Sequence, residues 1–134
     1  MKYRFVINKR LMGLNEYTKY NRTNKYAGAV AKKKEQQYII NCITQQLENI
    51  KIDKPVVGHF TWIEENKRRD LDNICFAKKF ILDALVYKAE PDILSSDEEY
   101  RKIVTNFTDS FEYEDTSKVI VELEEVQYAN TKNN

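Results

Sequence analysis

Two carboxylates separated by one residue, Asp70 and Asp72, directly follow three consecutive cations, Lys67, Arg68 and Arg69. Acids at that spacing can share a divalent ion such as Mg2+ or Mn2+, because hard cations take carboxylate oxygens and keep several waters. Neighbouring guanidinium and ammonium groups can hold phosphate. Together these residues read as the apparatus of a metal-dependent phosphodiester nuclease. The plainer reading is helix capping, in which an acid satisfies free backbone N–H groups and contributes roughly 0.5–2 kcal/mol. One aspartate is explained that way. A second is harder to explain, since like charges about 4 Å apart repel by up to about 4 kcal/mol at an effective dielectric near 20.

Two further groups extend the set. Asp72, Phe76, Lys79 and Asp83 recur at i, i+4, i+7 and i+11, so on a helix they share one face. Lys79 is thereby the candidate for contact with a substrate phosphate or a developing oxyanion, while Lys78 neighbours the apolar stripe. Downstream, Ser95-Ser96-Asp97-Glu98-Glu99 supplies another acid cluster. Asp97 completes a three-carboxylate site if the strand after it returns beside the one ending near Glu65; otherwise it is a turn residue or a cap. Lys32, Lys33 and Lys34 open a helix where the macrodipole disfavours cations. They are second-choice phosphate contacts, against the commoner case of a solvated charge run. His59 reads as a strand residue packed or hydrogen-bonded at the surface rather than as a catalyst.

The elements that must position these groups follow from hydrophobic periodicity. Tyr3, Phe5 and Ile7 alternate with polar neighbours as a half-buried strand. Residues 8–26 read as a polar, tyrosine-rich loop whose rings could stack on exposed bases or serve packing. A helix is predicted from Gly28 to Leu47 with Ile39, Ile40, Ile43 and Leu47 as its apolar stripe. Val56 to Ile63 is a strand with Phe60 and Trp62 on one face and His59 on the other. A second helix is predicted from Leu71 to Tyr87, burying Leu71, Ile74, Cys75, Ile81, Leu82 and Leu85. Arg101–Phe107 and Lys118–Leu123 read as closing strands joined by a long acidic hairpin over Asp109–Asp115. The order β-α-β-α-β-β implies an α+β fold: one domain over residues 1–126, one mixed sheet of about four strands, and two main helices. Residues 127–134 read as a polar, frayed tail.

Composition bounds the function classes. A chain of 134 residues with 42% hydrophobic content and 16 aromatics can bury its own core. No apolar run reaches the length of a membrane span, and the first residues are too short an apolar stretch for a signal peptide. Cys42 and Cys75 lie among apolar neighbours, as free thiols of a cytoplasmic protein would. With His59 as the one histidine, soft ligands are too few for a zinc site. The net charge of +1 hides an asymmetry: residues 1–88 carry 18 Lys/Arg and 9 Asp/Glu, residues 89–134 carry 4 and 12. A basic two-thirds suits a polyanion; pairing between the two parts accounts for it equally.

Arg68-Arg69-Asp70-Leu71-Asp72-Asn73, then Lys79 and Asp83-Ala84-Leu85, then Asp97, resemble the RusA-type Holliday junction resolvases. The run from Leu14-Asn15-Glu16-Tyr17 through Arg22, Asn24, Tyr26, Gly28 and Lys33-Lys34 is similar to the phage and Gram-positive branch. The resemblance extends from the first strand to about Val126. It implies a homodimeric, Mg2+- or Mn2+-dependent endonuclease that makes paired nicks across four-way junction DNA. Asp70, Asp72 and Asp97 would bind the metal and Lys79 would be the catalytic lysine, with Lys78 as its rival. Ser96 stands where the family often has a further acid. Lys67, Arg68 and Arg69 would track the DNA backbone. Three other readings stay open: a junction- or duplex-binding protein that does not cut, a nuclease of other branched DNA such as flaps, and a structural protein whose acids are caps.

Overall fold

Strand β1 (Lys2–Ile7) buries Tyr3, Phe5 and Ile7 and exposes Lys2 and Arg4, the alternation its sequence carries. The computed structural model describes residues 1–94 and 99–126, so Ser96, Asp97 and the tail from residue 127 lie outside the described residues. Helix α1 (Leu14–Thr23) and helix α2 (Ala27–Gln46) follow, then β2 (Val56–Glu64), α3 (Leu71–Cys75), α4 (Lys78–Leu85), α5 (Glu99–Ile103), β3 (Val104–Tyr113) and β4 (Lys118–Glu125). The fold is α+β, with one four-stranded mixed sheet in the order β1-β4-β2-β3. β4 runs antiparallel to both β1 and β2, and β2 runs parallel to β3.

One row across the sheet shows how the core is laid. Phe5 pairs with Val121, Val121 with Phe60, and Phe60 with Asp109. The first three are buried beneath α2 and α4 with Ile39, Ile43, Phe80, Ile81 and Leu85. The helices cover this face; on the opposite face His59 Nδ1 meets Thr108 Oγ1 at 2.6 Å, the surface hydrogen bond expected of it. Burial of these aromatic and aliphatic side chains, at roughly 1.5–3 kcal/mol each, is the main favourable term.

Four expectations need correction. Residues 14–23 are helical rather than a loop. Local propensity is poor there, but Tyr17 packs on Phe76 and Phe80 with ring centroids 5.4 and 6.0 Å away, so tertiary packing decides the conformation. The helix predicted over Leu71–Tyr87 is broken at Phe76–Ala77, where Lys79 N–H donates to Phe76 O and Phe80 N–H to Ala77 O, the short-range bonds of a 3-10 turn. It ends in a further 3-10 turn over Val86–Lys88, and Leu71, expected inside, is exposed. Arg101–Ile103 belongs to α5, and the strand that follows runs on through Asp109 to Tyr113. Finally, there is no hairpin between β3 and β4, because β2 lies between them.

Candidate metal and nucleic-acid site

The segment carrying the motif leaves β2 at Glu64 and turns through Asn66, whose Oδ1 accepts the backbone N–H of Arg68 at 3.0 Å. Such a side-chain-closed turn is what Asn supplies at a strand exit. Arg69 then folds back. Its Nε and Nη2 donate to the two oxygens of Glu64 at 2.9 and 2.8 Å, and its Nη1 donates to Leu11 O at 3.1 Å. Glu64 is buried, and the Arg69 side chain is 13% exposed. A planar guanidinium matched to a carboxylate fixes direction as well as charge.

Asn73 is turned inward as well. Its Oδ1 accepts the backbone N–H of Asn15 at 2.9 Å, at the start of α1. Gly13 sits between the two side chains: a Cβ there would lie 2.6 Å from Asn73 Oδ1 and 2.8 Å from Arg69 Nη1. Only a residue without a side chain permits that approach. On the other side, Glu35 of α2 accepts Lys9 Nζ at 2.6 Å and the Met12 N–H. Residues 9–15 are therefore held from both sides, and the motif is anchored to them.

Asp70 and Asp72, which alternate with these anchors, are exposed. Asp70 occupies the cap position of α3, yet its side chain makes no capping bond. Among the described residues neither carboxylate has a hydrogen-bond or ion-pair partner. The capping reading thus loses its support. Two hard oxygen donors with free lone pairs fit a hydrated Mg2+ or Mn2+. No group of three or more His, Cys, Asp or Glu side chains converges among the described residues; the expected third ligand, Asp97, is not among those residues.

The cations divide sharply. Lys67 lies over the ring of Tyr113 at 5.2 Å, and Arg68 is exposed. Beside them a cleft of about 290 Å³ is lined by Arg10, Asn66, Arg68, Arg69 and Ser117 together with Glu64 and Glu65. Arg69, expected on the DNA backbone, is instead engaged by Glu64. Lys32 is drawn to Asp83 of α4 at 3.6 Å, while Lys33 and Lys34 are exposed.

Lys78 and Lys79 have opposite environments. Ile74, Lys78, Ile81 and Leu85 share the apolar stripe, so Lys78 is buried. Its Nζ donates to Asp109 Oδ2 at 2.5 Å and lies 3.6 Å from the centroid of the Phe107 ring. Asp109 also accepts the Trp62 indole N–H at 2.8 Å. Burial and the nearby Asp109 charge push the Cys75 thiol up from its ordinary pKa. Lys79 is exposed and has no ion pair among the described residues. Lys78 is thus occupied by Asp109, whereas the Lys79 side chain is open to solvent.

Sequence reasoning missed Glu64, Asp109 and the inward roles of Arg69 and Asn73. A signal for the first existed: an acid closing a strand, five residues before an arginine. Asp109 gave none, because its partner comes from another element. No protein-family model and no curated protein matches the chain.

Proposed function

We propose that this protein is a divalent-metal-dependent endodeoxyribonuclease that resolves four-way DNA junctions, of the kind its motif resembles. One observation carries the reading. Within Arg69-Asp70-Leu71-Asp72-Asn73 the arginine and asparagine are consumed in anchoring the segment, while both aspartates are left exposed and without a partner among the described residues. A fold that needed these acids as caps or ion pairs would have used them.

Asp70 and Asp72, with Asp97, would hold Mg2+ or Mn2+. Such an ion supplies a bound water of lowered pKa and neutralises charge on the phosphate. The chain's own residues do the rest. Lys79 offers a free ammonium for charge on the phosphate or the leaving oxygen. Lys67 and Arg68, and more distantly Lys33 and Lys34, hold the flanking backbone without reading sequence. The Arg69–Glu64 fork ties the segment of Asp70 and Asp72 to β2, and Asn73 ties it to the start of α1. A two-fold dimer with one site per subunit would cut opposing strands of a near-symmetric junction, and the reading carries a cytoplasmic location with it.

The deciding experiment incubates a labelled, immobile four-way junction with the protein and Mg2+ or Mn2+. Linear duplex and flap substrates run in parallel, with Asp70→Asn as control. Paired symmetric nicks confined to the junction and absent with Asp70→Asn are expected. Binding without cleavage in either metal overturns the nuclease in favour of a binding module, and flap cleavage without junction cleavage changes the substrate.

A further inference from the structure

Residues 17–34, which form most of α1, its connection and the first half of α2, contain six Lys/Arg and no Asp or Glu. Tyr20 is 46% exposed, Tyr26 66% and Val30 52%. Between them runs a groove of about 390 Å³ lined by Tyr20, Asn24, Tyr26, Val30 and Lys34. The groove is built rather than incidental. Asn24 Oδ1 accepts the N–H groups of both Tyr26 and Ala27 at 2.9 Å, fixing the corner on which Tyr26 stands. At Gly28 α2 comes so close to the Asn21 side chain of α1 that a Cβ would lie 1.6 Å from Asn21 Oδ1.

We infer that this groove takes an unpaired nucleobase, stacked on Tyr20 and Tyr26, with Lys34 on the adjoining phosphate. The inference rests on the proposed DNA substrate and extends it. An aromatic wall recognises the flat face of any base, and lysine at the rim recognises the charge that every nucleotide carries. A further cleft shares residues both with the groove and with the cleft beside the motif. Tyr20 and Lys34 also line this second cleft with the ion pairs Lys9–Glu35 and Arg10–Glu16, and Arg10 in turn lines the cleft at Arg68. A strand that follows this path passes from the α1–α2 groove to the edge of the Asp70 segment. Because residues 9–15 are tied to Arg69 and Asn73, the groove and the two acids keep a fixed separation. The unpaired base would act as a ruler for where the backbone is presented.

The test uses the full chain and short duplexes carrying 2-aminopurine, either paired or as a single unpaired nucleotide. With wild-type protein, the unpaired probe is expected to be quenched and bound roughly tenfold or more tightly than the paired one. Tyr20→Ala with Tyr26→Ala should abolish the quenching and most of that preference while leaving affinity for the paired duplex unchanged; Tyr26→Phe should retain both. Lys34→Gln should weaken binding to both duplexes and flatten the salt dependence. In the double tyrosine variant, equal losses on paired and unpaired DNA, or no loss on either, overturn the groove. Binding of the wild type to phosphatidylserine vesicles that is lost in the tyrosine variant, with DNA binding unaltered, overturns it in favour of a membrane surface. Loss of the base preference in variants that still cleave junctions supports the groove independently of the cutting centre. A wild type that binds no DNA removes the substrate reading itself.

Discussion

Acids in two regions of this molecule have opposite surroundings. Glu64, at the end of β2, and Glu35, in α2, are buried and fully engaged, one by the Arg69 fork and one by Lys9 and the Met12 N–H. Asp70 and Asp72, a few residues on, are exposed and engaged by nothing among the described residues. A buried carboxylate without a partner costs several kcal/mol, so partners accumulate around it. An exposed pair costs little to keep and is free to bind an external ion. The contrast separates acids that hold the fold from acids available for chemistry, although all four are the same functional group.

The sharpest way to break that division is to remove charge from each class and compare activity with stability. Asp70→Asn or Asp72→Asn should lower junction cleavage by roughly a hundredfold or more while the thermal midpoint stays at its wild-type value, read by gel assay and calorimetry on the same preparations. Glu64→Gln should do the reverse in kind. It leaves the Arg69 guanidinium buried beside an amide, so chemical denaturation should show a loss of about 3–5 kcal/mol. An Asp70 variant that unfolds readily, or a Glu64 variant as stable as wild type, would dissolve the distinction.

The Lys78–Asp109 pair offers a finer version. Lys78→Met alone strands a carboxylate and should destabilise by about 3 kcal/mol. Adding Asp109→Asn removes the stranded charge while keeping an oxygen for the Trp62 N–H, and should recover much of the loss in a double-mutant cycle. Cleavage by the double variant should then approach wild type if Lys79, not Lys78, meets the phosphate.

A smaller effect tests burial at the far end of the sheet. Tyr3 donates its hydroxyl to Glu125 at 3.0 Å, and its pKa is pushed up to about 12 by burial, by that hydrogen bond and by the Glu125 charge. The folded value is above the unfolded value near 10. The folded state therefore favours neutral tyrosine, and the associated stability is intact below pH 10 and lost as pH rises from about 10 towards 12. Tyr3→Phe should flatten the stability profile in that alkaline window and change little near neutrality.

Much of the scaffold was legible because its signals are local. Alternation in Tyr3–Phe5–Ile7 and Phe60–Trp62 gave strands, and the spacing of Ile39, Ile43 and Leu47 gave α2 within a residue at each end. Where the signal was tertiary, the reading failed. Nothing within residues 14–23 reveals that Tyr17 will lie against Phe76 and Phe80, and nothing near Asp109 reveals Lys78. The acidic hairpin failed for a related reason: in the edge strand Asp109 is held by Lys78 and Trp62 on the helix-covered face, while Glu112 takes an exposed position. At the site, the motif named the right segment but not its division of labour. One residue type, arginine, serves at Arg68 as an exposed cation and at Arg69 as an internal brace, and only the position of Glu64 tells them apart.

The strand order has a consequence for how the protein comes into being. β4 lies between β1 and β2, so neither of those strands meets its antiparallel partner until residues near 118–125 exist. During synthesis β1 waits for a partner more than a hundred positions away, and pairings of such long range form slowly. The brace at Arg69 hangs from β2, which is itself secured by β4. A ribosome-bound chain lacking those last residues could pair β2 only with β3, so β1 and the segment braced by Arg69 would reach their final places only once β4 is made.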